Sequence, residues 1–155
     1  FGADNTVQSE YKYYNNVEVL RFLKITEYAI RVMVYLAEKR PERLSARALH
    51  EALDIPYKYL GRLMSRLAEA GLLSVEKGKY GGYQVDRPLE EISLCQIADV
   101  VEGLEDYRRC VLGFPECSDE NPCALHSIWV VQRDQIKDML FSTSLADLMK
   151  RPDEE

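Results

Sequence analysis

The residues of this chain best equipped for chemistry lie in one stretch, Cys110-VLGFPE-Cys117-SDENP-Cys123-AL-His126. It holds three thiols with gaps of six and five residues between them, and an imidazole three residues beyond the last. The opening residues lack the basic-then-apolar order of a secretory signal, and clustered cysteines in such a chain point to metal or redox chemistry before structural disulfides. Three chemistries are open. A three-Cys, one-His set has the donors of a zinc site, but zinc fingers use short Cys-x2-4-Cys pairs that these longer gaps do not match. Iron-sulfur clusters accept wider spacing and a histidine in place of a thiolate, so the spacing favours a cluster over zinc. The third is a thiol switch, in which Cys110 or Cys117 pairs with Cys123 on oxidation. Cys123 is expected near the start of a helix, where orphan amides and the dipole favour a thiolate, and His126 follows one turn on along the same side. Arg108 and Arg109 add positive charge beside Cys110, and Gly113, Pro115 and Pro122 let the loop fold back. Cys95 stands alone on an amphipathic stretch and reads as a small packing residue. The sequence displays no phosphate-binding glycine loop and no Ser/His/Asp or Cys/His set around a cleft, which argues against an enzyme.

Such a loop needs scaffolding on both sides. Downstream, ALHSIWVVQRDQIKDML predicts a long helix from Cys123, with Ile128, Trp129, Gln132, Ile136, Met139 and Leu140 along a stripe too apolar for one small core to absorb. A second copy of the chain would cover it, giving a homodimer. Ser144 caps a last short helix, LADLMK, and upstream Ser93 caps LCQIADVVEGL, with Leu94, Ile97, Ala98 and Val101 inward.

Nearer the start, TEYAIRVMVYLAEKR predicts a first helix with Thr26 as N-cap and Ala29, Val32, Met33 and Leu36 on one face. Ser45 opens ARALHEAL, with Ala48, Leu49 and Ala52 inward and His50 at the surface, and this helix stops at Asp54-Ile55-Pro56. Pro56 begins YKYLGRLMSRLAEAG, with Leu60, Leu63, Met64 and Leu67 inward and Gly71 as the terminal cap. Two short helices around a tight turn, the second longer and basic, have the proportions of a helix-turn-helix. LLSVEKGKYGGYQV then alternates like two strands about a Lys- and Gly-rich turn, a hairpin in the place of a wing. The expected fold is mainly α with a small β-hairpin wing: a winged helix-turn-helix plus a long dimerisation helix. Lys58, Tyr59, Arg62, Ser65 and Arg66 of the second helix, with Lys77 and Lys79 at the hairpin tip, are the candidate DNA contacts.

The composition is that of a soluble globular protein. The 155 residues are 46% apolar and 30% charged, the balance of an ordinary globular chain, and no run approaches the roughly 18 uncharged apolar residues of a membrane helix. A cytoplasmic protein is expected. The net charge of -6 divides unevenly, +5 over residues 21–87 and -9 over 88–155, so the basic surface DNA requires is concentrated in the winged-helix block. Three regions follow: a flexible or vector-derived extension over 1–20, a DNA-binding domain over 21–87, and a cluster-binding loop with dimerisation helices over 88–155.

In this order and separation, YLGRLMSRLAEAGLL, the wing KGKYGGY and the loop ending CALHSIW resemble the family of the iron-sulfur regulator IscR and the nitric-oxide sensor NsrR, over about residues 20–150. The resemblance implies a winged-helix homodimer on a palindromic double-stranded operator, with one iron-sulfur cluster per subunit near the dimer interface. It implies Cys110, Cys117 and Cys123 as ligands and His126 as the fourth, with [2Fe-2S] favoured over [4Fe-4S]. Glu27 holds the place where some NsrR-like relatives supply a carboxylate from the other subunit, which makes it the alternative fourth ligand. The implied role is a repressor sensing redox state, nitric oxide or cluster and iron status. Two departures stand out: the first gap is six residues where the family commonly has five, and the family's base-restricting glutamate has Gly61 as its counterpart.

Overall fold

The computed structural model describes residues 24–150; the extension expected over 1–20 lies outside the described residues. Helix α1 (Lys24–Glu38) is the central strut, burying Ala29, Val32, Met33 and Leu36 on the predicted face. Thr26 is not its N-cap. The helix already includes Lys24, and Thr26 lies one turn before Ala29 and Ile30 on the same stripe, fully buried, its hydroxyl meeting no polar partner among the described residues.

Helix α2 (Ala46–Leu53) begins as expected, with the Ser45 hydroxyl accepting from the Ala48 amide at 3.1 Å, and ends at Asp54 in the left-handed region with φ of 52°. Its apolar face is narrower than the spacing suggested: Leu49 alone is fully buried, while Ala52 is exposed. His50 does not stand free at the surface either. It is half-buried, and its Nδ1 lies 2.7 Å from the Ile55 carbonyl, bracing the turn into α3 (Tyr57–Glu69).

Helix α3 packs against α2, α4 and α1, and buries Leu60, Leu63, Met64 and Leu67, four side chains at the i, i+3, i+4, i+7 spacing of a core face. Full burial of one such side chain stabilises by about 1.5–3 kcal/mol. The helix stops at Ala70, and Gly71 takes the left-handed conformation with φ of 73°. Strands β1 (Ser74–Glu76) and β2 (Gly82–Gln84) form the antiparallel hairpin, Val75 opposite Tyr83. Leu44 pairs with Tyr83 from outside, each amide donating to the other's carbonyl at 3.0 and 2.8 Å. The approach is so close that a Cβ at Gly82 would sit 2.7 Å from the Leu44 carbonyl oxygen.

The second half is a frame. Helix α4 (Leu94–Val101) opens with a reciprocal capping box between Ser93 and Gln96, and α6 (Leu145–Met149) opens with another between Ser144 and Asp147. Between them, α5 (His126–Ser142) packs along α4. One end of the frame is bolted by backbone: Leu94 donates to Thr143 at 2.9 Å and Leu145 to Ile92 at 2.7 Å. At the other end, a 3-10 turn (Leu104–Arg108) and the cysteine loop bridge the gap. No helix among the described residues is long and apolar enough to cross a membrane.

Candidate metal centre and nucleic-acid interface

The fold brings the three thiols together. The sulfur atoms of Cys110, Cys117 and Cys123 all lie within 4.8 Å of one another, half-buried and without a disulfide. Short-range backbone bonds wind the loop into this shape: Gly113 donates to Cys110, Cys117 to Phe114, and Ser118 and Asn121 to each other. Gly113 sits in the left-handed region with φ of 76°, which favours glycine at that bend. Beside the thiols is a cavity of about 300 Å3, bordered by Phe114, Pro115, Cys117, Pro122 and Cys123. Convergent soft donors next to open space are the setting in which a metal or a small cluster is held.

His126 joins this set through Cys117 alone. Its Nδ1 lies 3.2 Å from the Cys117 sulfur, while its Nε2 lies 2.9 Å from an Asp119 carboxylate oxygen. Carboxylate, imidazole and thiol therefore form a chain leading into the three-sulfur group, the way a second carboxylate orients a ligating histidine. Asp119 was not singled out by the sequence; a solvated acid in a polar loop gives no sign of the histidine seven residues on. Glu27 lies in the first turn of α1, its carboxylate 2.9 Å from Lys24 Nζ.

The thiols are not equivalent. Burial acts to raise Cys110, but hydrogen bonds from the Phe114 and Leu112 amides and from the Cys123 and Cys117 thiols stabilise its thiolate and bring its pKa down to about 7. At Cys117 the Cys123 amide pulls downward, yet burial and the Cys123 and Cys110 sulfurs push harder, and the net shift is upward. The expectation that a helix start would favour a thiolate at Cys123 is corrected here. Helix α5 begins at His126, after a turn in which His126 donates to the Cys123 carbonyl at 3.1 Å, so Cys123 precedes the helix. Backbone amides of the loop, at Cys110, do what a helix terminus was expected to do.

The apolar stripe of α5 also divides. Leu140 is fully buried, Ile136 half-buried, and Trp129 turns inward, its indole N-H donating to the Arg109 carbonyl at 2.9 Å. Ile128, Met139 and Val131 instead face outward, Ile128 63% exposed. Val131 belongs to this outer face, although the predicted stripe omitted it. Leu125, Val111, Leu112 and Phe114 extend the exposed apolar surface onto the loop.

Lys58, Tyr59, Arg62, Ser65 and Arg66 are all exposed on α3. Lys58 lies over the Tyr59 ring, 4.9 Å from its centroid, and the Ser65 hydroxyl donates to the Gly61 carbonyl at 3.0 Å. Arg66 reaches inward, its guanidinium donating to the Val101 carbonyl at 3.2 Å. At the wing tip Lys77 and Lys79 are exposed, with Tyr80 beside them at 86% exposure, an aromatic the sequence reading passed over. A Cβ at Gly81 would collide with the Glu76 carbonyl, which is why the tip tolerates only glycine there.

Comparison with known proteins places this architecture. The family described as Rrf2, iron-dependent transcriptional regulator, matches residues 23–151. The regulator CymR of Bacillus subtilis is 32% identical over 129 residues, covering 83% of this chain and 88% of its own. Its solved structure, titled as the global cysteine regulator, superposes with a TM-score of 0.69 at 28% identity over 84% of this chain and 97% of that one. IscR of Photorhabdus laumondii is 30% identical over 133 residues, 84% of this chain and 79% of its own. The structure of T. potens IscR gives a TM-score of 0.66 at 25% identity, covering 84% and 87%.

Proposed function

This chain belongs to the Rrf2 family of transcriptional regulators, and from that premise we propose that it is a cluster-dependent repressor whose cysteine loop controls DNA binding by the winged helix. The observation that carries the proposal is the convergence of three thiols in a loop that follows the Leu104–Arg108 turn, next in the chain to the helix whose Val101 carbonyl accepts from Arg66. Cys110, Cys117 and Cys123 would hold an iron-sulfur cluster, [2Fe-2S] before [4Fe-4S], with His126 as fourth ligand and Glu27 of the partner subunit as the alternative. When bound, such a group supplies one-electron redox chemistry and reactivity toward oxidants or nitric oxide. Asp119 holds His126 in one orientation, with Nδ1 toward the sulfurs.

The link to DNA runs along the chain. Cys110 follows the Leu104–Arg108 turn, whose first amide is held by the Asp99 carboxylate of α4 at 2.9 Å; the same helix ends at Val101, where Arg66 of α3 is bonded. Movement of Cys110 therefore pulls on the terminus that braces the recognition helix. At the other end of the loop, His126 opens α5, and the exposed face of Ile128, Val131 and Met139 pairs two copies. A change in the loop resets the spacing of two recognition helices, and a palindromic operator reads that spacing. In each copy residues 21–87 form the DNA-binding part, with Lys58, Tyr59, Arg62, Ser65, Lys77 and Lys79 as contacts, and Arg66 divides its role between phosphate and the Val101 strut. Residues 88–155 form the cluster-binding and dimerising part. The protein works in the cytoplasm as a regulator, not an enzyme.

A second reading rests on the 3.6 Å separation of the Cys110 and Cys123 sulfurs. Oxidation by a peroxide would form the Cys110–Cys123 disulfide, the two thiol protons and two electrons passing to the peroxide to give water. One preparation separates the readings. Anaerobically purified protein should be coloured and contain iron and acid-labile sulfide, and Cys117→Ala should abolish both. A colourless, iron-free protein that resists reconstitution and forms the Cys110–Cys123 disulfide on mild oxidation would favour the second. Stoichiometric zinc without salt-dependent DNA binding would mean a zinc-stabilised interaction module instead.

A further inference from the structure

Every glycine among the described residues except Gly61 has a cause inside the chain: a left-handed φ, or backbone so close that a Cβ would strike it. Gly61 has neither. It lies within α3, which runs unbroken from Tyr57 to Glu69, its φ is outside the left-handed region, and a Cβ added there would meet no atom within 4 Å. The residue is exposed. Glycine gives up more backbone freedom than any other residue on entering a helix, and only proline is a poorer helix former in an interior position. Within this chain alone, alanine would fit the same space and hold the helix better.

The neighbours leave the spot empty. Residues three and four apart share one side of a helix, which sets Tyr57, Lys58 and Ser65 around Gly61. Each is drawn elsewhere. The Tyr57 ring meets His50 edge-on with 6.1 Å between centroids, and the Lys58 ammonium lies over the Tyr59 ring, 4.9 Å from its centroid. The Ser65 hydroxyl folds back onto the Gly61 carbonyl at 3.0 Å. What remains is a notch whose floor is the helix backbone, its amide and carbonyl already engaged within the helix. Two of its three neighbours, Lys58 and Ser65, are candidate DNA contacts, and both are exposed.

We propose that Gly61 determines specificity by its lack of a side chain: the notch lets the edge of a base pair in double-stranded DNA come against the backbone of the recognition helix, and any side chain there holds the duplex off. Close approach of backbone to a ligand is the cause of a glycine that remains once φ and internal packing are set aside. This role rests on the DNA-binding reading of α3 proposed above and not on the cluster. It differs from the mere loss of a base-reading side chain, which would leave alanine harmless at this position. Long side chains such as Lys58 and Arg62 still reach phosphate when the helix is held off by a methyl group, so the loss falls on the specific complex and spares binding to DNA of any sequence.

The test compares the full chain with Gly61→Ala and Gly61→Leu in two measurements: thermal unfolding, and anisotropy titration at fixed salt of an operator selected from a random pool with the parent and of a random-sequence duplex. Both substitutions should raise the thermal midpoint, alanine by about 1–4 °C. Operator affinity should nevertheless fall at least about tenfold for alanine and further for leucine, while affinity for the random duplex stays within about twofold. Operator binding by Gly61→Ala as tight as the parent's overturns the proposal, as does a lowered thermal midpoint, which would give the glycine an internal cause. Equal losses for alanine and leucine also overturn it, because the helix would then need the flexibility of glycine and not its size. A parent without salt-dependent binding to either duplex overturns the DNA-binding reading itself, and the role of Gly61 with it.

Discussion

Helices α3 and α5 are of comparable length and opposite character. Of thirteen residues in α3, four are fully buried at regular spacing; of seventeen in α5, one is. Within one chain the recognition helix is finished, because α1, α2 and α4 together cover its apolar face and its basic face is left exposed. The long helix is half-covered: Trp129, Ile136 and Leu140 meet their own chain, while Ile128, Val131 and Met139 are left at least half exposed. A helix that leaves such a face uncovered in water is stable through what covers that face. On the function proposed above, the winged-helix half is rigid alone, and the other half depends on a second copy and on what the thiols hold.

Perturbations of four kinds strain that contrast. The largest effect falls on the finished side: Leu63→Ala opens a cavity in a covered core and should cost about 2–5 kcal/mol, read by denaturant unfolding. An equally costly Met139→Ala would blur the distinction. Next, Ile128→Asp should convert the dimer to monomer in analytical ultracentrifugation while the far-ultraviolet circular dichroism of the winged helix survives; a dimer of unchanged affinity would show that the exposed stripe is not the interface.

Smaller effects separate base reading from phosphate contact. Arg62→Ala should cost about 1–3 kcal/mol on the preferred operator and relax preference at one base pair, while Lys79→Ala should weaken all sequences alike and lower the salt slope by about 1. The same loss on every sequence for Arg62→Ala would reassign it to the backbone. The mildest perturbation is pH. Because the Cys110 pKa is depressed to about 7, its thiolate is present above that pH and lost below it. In metal-free protein, iodoacetamide should therefore modify Cys110 with a midpoint near pH 7, and Cys117, whose pKa is raised, only at higher pH. Mass spectrometry of the alkylated peptides reads both.

What was legible in the sequence was local. Ser45, Ser93 and Ser144 announce helix starts because a hydroxyl three residues from an amide acts within one turn, and all three are capped that way. The hairpin was visible because strand alternation and turn glycines act over a dozen residues. The cysteine spacing pointed to a convergent site, and the sulfurs do converge. Periodicity, however, marks an apolar face without saying whether the chain itself or another copy covers it, so one predicted stripe on α5 proved to be two. Thr26 looked like a cap because its hydroxyl suits one, but the core side of α1 extends back to it. The Arg66–Val101 bond joins residues 35 apart, and the Asp119–His126 contact depends on the loop's three-dimensional winding; no short-range pattern encodes either.

Control of the winged helix by the cysteine loop, as proposed, is read out in DNA affinity. Operator DNA selected from a random pool is titrated by fluorescence anisotropy, at fixed salt, with a single preparation before and after anaerobic removal of the bound iron. Affinity should differ by at least about tenfold between the two states, and Cys117→Ala should behave like the iron-free form. Equal affinities in both states, with DNA binding otherwise intact, would contradict it.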